Sequence, residues 1–538
     1  MPDSSGGVRE LSVEAARQLD GIWFTATFGD AVAYPLSPLA EQLSADATEQ
    51  LAELLHDRGA SLPRRNRRAV RVDGQLYHAF KPLERAAREL SPSDPELLAY
   101  AIACEALPEV QHGDPRRARP SVALLAARAA RLVAKLRLVE QRAFLHEQDA
   151  SQHHRWLAEM DLGILPDDAL STTLNECVAI QRAARLLELD VALELVGVYG
   201  VLFALARRVA SADPIGLVSA ALIPDALIFP SAIPGLSLAR WGSGTTPAAR
   251  EQAEADFVAA FGERGPNEAD PFAPRWSQSP ELLRILSDKL SRRDPSEAAQ
   301  RSAAARRARE AAIERARSAA GILDARVLTA LLQAVSRLVL LRSRLSRVRA
   351  RAVWMLRTVT LDVDRRLSRL LQAEAGTAFF LRLNELQECT VHPEAALLEL
   401  AAERRRAWQT RRAGTVPLAA IGRAAHAAAG ELPLRGVGIG IGAGSLTGRC
   451  HLAREFADFA DFEVGGILVV RALDPSWAPA LPLASAIVSD TGGLADEGVL
   501  TAAALGVPLL IGTRDAMQLL ANGDNVRVDL REGTVGRA

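Results

Sequence analysis

The chain has 538 residues, a formal net charge of −1, and 24% charged against 49% hydrophobic residues. That is the composition of a well-cored protein of about two to four domains, and it excludes a global field that would gather nucleic acid or anionic membrane. The four cysteines, Cys104, Cys177, Cys389 and Cys450, are too scattered for a CxxC site, which fits a reducing, cytoplasmic setting without a metal or redox centre.

The first residues, MPDSSGGVRELSVEAARQ, contain no apolar signal core. Residues 23–83 mix Pro, Gly and aromatic punctuation, and Ala69 to Tyr77 alternates apolar and polar around an Asp-Gly pair, the pattern of a hairpin. From 84 onwards apolar residues recur at three- and four-residue spacing, through LLAARAARLVAKLRLVEQRAFL and LNECVAIQRAARLLELDVALELV, which predicts long helices. The longest apolar run, Leu195 to Ala206, follows Glu188, Asp190 and Glu194 and is too short for a bilayer, so it reads as a buried helix. Prolines 214, 224, 230 and 234 break the pattern into loops. Residues 301–351 carry 13 arginines against three acids, Glu310, Glu314 and Asp324. Without interleaved aromatic residues, this is an exposed arginine face rather than a nucleic-acid groove.

The texture changes after about residue 402. ERRRAWQTRRAGTVPLAA reads as a linker, and beyond it short apolar runs bounded by Gly and Pro (GVGIGIGAG, GGILVVRAL, ASAIVSD, GVPLLIGT) predict buried strands. The fold class expected is therefore multidomain α+β. A mixed segment, 1–83, packs on a large helical domain, 84–401; a linker, 402–432, leads to a C-terminal α/β domain, 433–538.

In that last domain SDTGGLADEGVLTAAALGVP, residues 489–508, reads as strand, glycine turn and helix. Gly492 and Gly493 allow a sharp turn, and the helix starts near Asp496 or Glu497, where free N–H groups favour negative charge. GAGSLTGR (442–449) and LDPSW (473–477) complete the set. These segments resemble the swivelling phosphohistidine domain of phosphoenolpyruvate-utilising enzymes, a family that includes phosphoenolpyruvate synthase and rifampin phosphotransferase. The family pattern runs in register from Gly492 to Pro508, which puts Asp496 on the family's serine and Glu497 on its phosphate-carrying histidine. Ala503 stands for the family's helix arginine, and Gly442 and Ala443 for a Ser-Pro pair.

The resemblance extends upstream through WFTATFGDAVAYPLSP (23–38), FGERGPNEADPFAPRW (261–276) and FFLRLNEL (379–386). In the second of these Gly262, Arg264, Glu268, Asp270, Pro274, Arg275 and Trp276 fit the family pattern, and Glu263 replaces a histidine. The resemblance implies a helical domain that holds a small apolar molecule, with Arg264, Glu268, Asp270 and Arg275 as its polar contacts. The plainer reading is that these four form ion pairs fixing a Pro-rich loop. With only 22 residues before Trp23, the family's ATP-grasp domain is expected on a separate protein, if anywhere.

Imidazole suits phosphoryl transfer because it is nucleophilic near neutral pH and its phosphoramidate is labile. A carboxylate at 497 could form only an acyl phosphate, and Asp496 beside it opposes an incoming phosphate; capping the helix is the role that suits them. His451 is the nearest histidine, in a predicted strand. His153 and His154 point about 100° apart on a helix, so with His146 they make no metal site, and no cofactor is expected. Three readings follow. The chain is a binding pseudoenzyme for a small molecule or partner. Or it is the acceptor-binding subunit of a split phosphotransferase with an ATP-grasp partner. Or it is an enzyme of different chemistry using Glu263 or Asp270 as acid or base.

Overall fold

The computed structural model describes residues 9–21, 23–24, 35–57, 69–72, 75–79, 121–209, 217–218, 220–221, 223–242, 246–292, 296–413, 420–422, 431–439, 444–493 and 496–538. The Asp-Gly turn at 73–74, the helical pattern over 84–120, residues 25–34 of the upstream motif, Gly442 and Ala443 lie outside them.

Near the N-terminus β1 (Arg9–Leu11) and α1 (Val13–Arg17) precede β2 (Trp23–Phe24), α2 (Pro38–Asp57), β3 (Ala69–Val72) and β4 (Gln75–Ala79). β3 and β4 pair antiparallel, Val70 opposite Tyr77 and Val72 opposite Gln75, as the alternation predicts. The sheet is completed by β5 (Ala420–Ile421), whose Ile421 lies opposite Trp23. Its small core is Ala16, Val70, Val72, Tyr77 and Ile421.

The centre of the protein is a bundle of three long helices, α3 (Val122–Glu159), α4 (Asp167–Val209) and α9 (Ile322–Leu371). Between α4 and α9 come α5 (Ile233–Gly242), α6 (Pro247–Phe261), α7 (Glu281–Leu290) and α8 (Glu297–Ala319). Local chemistry starts two of these helices: Ser121 accepts from Leu124 N at 3.3 Å, and Thr246, followed by Pro247, accepts from Ala249 N at 3.2 Å. On α9 the buried positions Val327, Leu328, Leu331, Leu332, Val335, Leu338 and Val339 keep three- and four-residue spacing and face the core. α4 is long and apolar enough to cross a membrane by length and composition, yet 94% of its most apolar window is buried within the protein. It is a core helix, buried nearly all round from Leu187 to Ala206.

Buried acids on α4 are each matched by a base. Glu188 is held by Arg185 at 3.0 Å and Arg349 at 2.8 Å, Asp190 by Arg142 at 3.1 Å, and Glu194 by Lys135. The arginine-rich stretch is thus not simply an exposed face. Arg342 and Arg349 are buried, Arg337 and Arg344 brace α3 through Glu140 and Glu147, and Arg347 and Arg351 both bond Glu263 at 3.3 Å. The arginines cross-link helices that a sequence pattern shows only one at a time.

After α10 (Leu383–Val391), α11 (Ala395–Ala413) runs through the first dozen residues of the expected linker, and β5 ties a second piece of it into the N-terminal sheet. The correction has a simple cause. Trp408 is buried against Phe272 and Phe380, and its Nε1 donates to Pro35 O at 2.8 Å, so the basic stretch is one face of a packed helix.

The C-terminal domain contains β6 (Leu434–Arg435), β7 (Val437–Ile439), β8 (Ser445–Ala453), β9 (Ile467–Val470), β10 (Ala486–Ser489), α12 (Glu497–Ala504), β11 (Leu509–Ile511), α13 (Ala516–Leu519), β12 (Asn525–Asp529) and β13 (Thr534–Arg537). The sheet order is β6-β13-β12-β8-β9-β10-β11-β7, with β8, β9, β10 and β11 parallel. β9, β10 and β11 are buried at every position, which explains their unbroken apolar runs.

This domain is closely seated on the helices. Lys289 Nζ donates to Phe459 O, Ala460 O and Phe462 O at 3.2, 2.5 and 2.8 Å, and Arg301 reaches Pro482 O and Ala484 O at 2.6 and 3.1 Å. One hydrophobic cluster runs from Leu283 and Leu286 of α7 to Phe459, Trp477 and Leu481. Two glycines permit the approach. A Cβ on Gly235 would lie 2.4 Å from Ala478 O, and one on Gly506, at φ +70°, 2.5 Å from the backbone of Arg301. Gly235→Ala is therefore a test of the seating. Alanine favours a helix over glycine by up to about 1 kcal/mol, but here overpacking costs about 1–3 kcal/mol. The variant should unfold at lower urea than the wild type; a higher midpoint would mean that the two domains are not in contact at Gly235.

Candidate functional site

Glu497, which the resemblance places on the family's histidine, is positioned by local backbone chemistry. β10 ends at Ser489, and Gly492, at φ +131°, turns the chain. Residues 494–495 lie outside the described part. Asp490 anchors the base of this turn, accepting from Ala516 N, Thr513 Oγ1 and Met517 N at 2.6, 3.0 and 3.1 Å; burial pushes its carboxyl up to about 7. Asp496 is the N-cap of α12 and accepts from Val499 N at 3.1 Å. Gly498 lets α12 touch the LDPSW segment, since a Cβ there would lie 2.1 Å from Leu473 O.

Glu497 does not cap. It is 1% exposed and points across the domain boundary, where Ser231 Oγ donates to its Oε1. Ser231 Oγ also lies 2.8 Å from Ser343 Oγ. Because the single Ser231 hydroxyl proton goes to Glu497, Ser343 must be the donor to Ser231. Ser231 N donates to Ser343 Oγ at 3.0 Å, so the serine pair is fixed through the backbone as well. Glu497 Oε2 has no hydrogen-bond partner among the described residues. Burial, then the nearby Glu188, push the Glu497 carboxyl up to about 6, and Arg342, Ser231 and Arg264 oppose them.

The four loop residues expected to bind a ligand occupy two places. Arg264 and Glu268 form a fully buried two-pronged pair, Nε and Nη2 each at 2.8 Å from a carboxylate oxygen, on the Glu497 side. Burial alone would lower Arg264, but Glu268, with Glu497 and Asp474, raises it above its usual value. Asn267 N donates to Asp474 of the LDPSW segment at 3.1 Å, and burial with Glu268 raises Asp474 to about 6. Asp270 and Arg275 bond to other partners. Asp270 accepts from Ser37 N, Ser37 Oγ and Phe272 N at 2.7, 2.6 and 2.9 Å, and Arg275 Nη2 donates to Asp270 O at 3.1 Å.

Glu263 is taken up by Arg347 and Arg351. His451 lies in β8 with Nε2 at 3.0 Å from Asp458 O, and His154 packs on Trp354. Among the described residues no group of three His, Cys, Asp or Glu could hold a metal ion. Ser231, Ser343, Arg342 and Glu188 are the members of the site that the sequence reading missed. The acids before the apolar run of α4 were the one signal, since a buried acid implies a base on another element.

Residues 462–533 match the family of the PEP-utilising enzyme mobile domain, and residues 236–343 match the rifampicin phosphotransferase fourth domain. Among similar proteins, a phosphoenolpyruvate synthase of Aeropyrum pernix is 39% identical over 107 residues, 20% of this chain and 13% of that protein. A rifampicin phosphotransferase of a Streptomyces species is 35% identical over 98 residues, 18% of this chain and 11% of the relative. A chondramide synthase of Chondromyces crocatus is 35% identical over 99 residues, 18% of this chain and 2% of the relative. The C-terminal domain is thus similar to the mobile domain of phosphoenolpyruvate-utilising enzymes. With the helical match as well, the chain is similar in these two regions to phosphoenolpyruvate synthases and rifampicin phosphotransferases, of whose length the matches span 13% or less.

The raised Glu497 value fixes the sign of a pH effect. The folded protein holds the proton more tightly than the unfolded chain, so ionising Glu497 lowers stability as pH rises from its ordinary 4.5 through about 6, and no further above. Glu497→Gln removes that loss. The stability of the variant relative to wild type should rise by roughly 2 kcal/mol between about pH 4 and pH 7. Urea midpoints at the two pH values measure it, and an unchanged difference would show that Glu497 is solvated.

Proposed function

We propose that this chain is a binding protein on the rifampicin phosphotransferase-like architecture that carries out no phosphotransfer of its own. The observation that carries the reading is the environment of Glu497. A phosphate carrier needs a nucleophile free to meet a donor in line. Here the residue in that place is a buried carboxyl whose Oε1 is taken by Ser231, with Glu188 close enough to raise its affinity for a proton. An arriving phosphoryl group would meet like charge in a site that water barely enters, where repulsion is weakly screened. Reaching a distant donor would also mean breaking the bonds of Lys289, Arg301 and Asn267 to the C-terminal domain. In this reading the C-terminal domain is a fixed wall and the helical domain is the binding part.

The test is phosphate incorporation. Purified protein is incubated with labelled ATP or phosphoenolpyruvate, alone and with a phosphorylated family swivel domain and its ATP-grasp domain, beside Glu497→Gln. No label on this chain is the expected result. Label that disappears in Glu497→Gln would establish an acyl-phosphate carrier and overturn the proposal. A small molecule phosphorylated only when the separate ATP-grasp protein is present would instead make this chain the acceptor-binding subunit of a split enzyme.

A further inference from the structure

Thirteen large apolar side chains are exposed among the described residues, and five of them sit on α3: Leu124, Leu138, Phe144, Leu145 and Trp156, each 41–64% exposed. One face of this helix is accounted for. Leu125, Ala129, Leu136, Val139, Ala143 and Ala150 are buried, and α3 packs on α4 and α9. The apolar residues on the opposite face are regularly spaced. Leu138 follows Leu124 by 14 positions, and Leu145 follows Leu138 by seven. Ala127, Ala134 and Gln141, all exposed, come three positions after Leu124, Arg131 and Leu138. A seven-residue repeat with two seam positions is the pattern of a helix that pairs with another helix. On α3 it lies on the side away from the bundle, where a surface helix is ordinarily polar.

The two seam positions differ in size, leucine recurring at one and alanine or glutamine at the other. Two such helices fit when the large position of one meets the small position of its mate, which an antiparallel pair achieves. About a two-fold axis between residues 139 and 140, Leu145 falls on Ala134 of the second copy, and Leu138 on its Gln141. The charges select the same direction. Residues 122–138 carry Arg128, Arg131, Lys135 and Arg137 and no acid, whereas 139–159 carry Glu140, Glu147, Asp149 and Glu159 against Arg142 and Arg155. The antiparallel register brings Arg131 beside Gln148 and Asp149 of the second copy. A parallel pair would lay Arg131 on Arg131 and Arg137 on Arg137. Lys135 and Arg142, which the antiparallel register brings near each other, are each held by an acid of their own α4, Glu194 and Asp190.

We propose that the outer face of α3 is a self-association surface, through which two copies of this chain pair antiparallel about a two-fold axis near residues 139–140. Such a contact is the same patch on both copies, so it closes on itself as a dimer and does not run on into a filament. It is independent of Glu497 and of the binding reading above.

Sedimentation equilibrium of the full chain at about 5–50 µM is the first experiment, a range that detects micromolar association. The wild type should approach twice 57.7 kDa, and Leu138→Glu with Leu145→Glu, two changes at exposed positions, should return it to 57.7 kDa. Cysteines test the direction. Ala134→Cys combined with Leu145→Cys should form a disulfide-linked dimer under mild oxidation, while neither single variant should. Within one copy the two positions are about 16 Å apart along the helix, too far for a disulfide. A monomer throughout the concentration range would leave this face to a different protein and overturn the proposal. So would a dimer unchanged by the two glutamates, no cross-link in the double-cysteine variant, or a cross-link in Ala134→Cys alone.

Discussion

Charge taken out of water has to be matched inside the protein, and the arrangement around Glu188 shows how much follows from that. An isolated buried carboxylate costs several kcal/mol, and removing one partner of a buried pair costs about 3–5 kcal/mol. Glu188 sits in the middle of a 43-residue core helix between Arg185 of its own helix and Arg349 of the 50-residue helix beside it. That bond fixes how α4 and α9 slide past each other. Once their register is fixed, Arg342 and Ser343 lie one to two turns earlier on α9, with Ser343 bound to Ser231. Ser231 then presents its hydroxyl to Glu497. The seating of the C-terminal domain at this point is the last link of a chain that begins with one acid in an apolar helix.

The same links give a physical reading of the glutamate at the family's histidine position. A histidine there would need room to turn and a path to solvent. The Oε1 of Glu497 instead accepts from a serine on the opposite domain. Glu497 thereby joins two domains. The surrounding glycines act in the same direction, because Gly235 and Gly506 allow backbone contact that any side chain would prevent.

The fold was legible where pattern is local. The long helices follow from three- and four-residue spacing, the buried strands of the C-terminal domain from unbroken apolar runs, and the β3–β4 pairing from alternation. Asp496 as a cap was readable from the helix start. What was not legible is long-range pairing. β5 joins the N-terminal sheet from a stretch that reads as linker because two residues of strand leave no pattern. Helix α11 extends into that stretch because Trp408 finds an aromatic cluster assembled from residues far along the chain. Ser231 and Glu497 are 266 positions apart, and no periodicity connects a serine in a Pro-rich loop to an acid at a helix start. The arginine-rich helix looked solvated because single-helix counting cannot see acids on α3 and α4.

The 261–276 loop explains why four residues that match one motif work in two places. At Asn267 the backbone takes φ +54°, a left-handed conformation that turns the chain sharply. Arg264 before the turn pairs with Glu268 just after it, beside Glu497, while Asp270 and Arg275 further along bond to Ser37 and to the loop's own backbone. Asn267 itself is held from the other domain by Asp474. The loop is therefore clamped at its bend, with Trp276 N on Arg264 O at 2.8 Å closing it. The seated C-terminal domain holds the bend of this loop through Asn267, so the domain boundary and the loop's own geometry depend on each other.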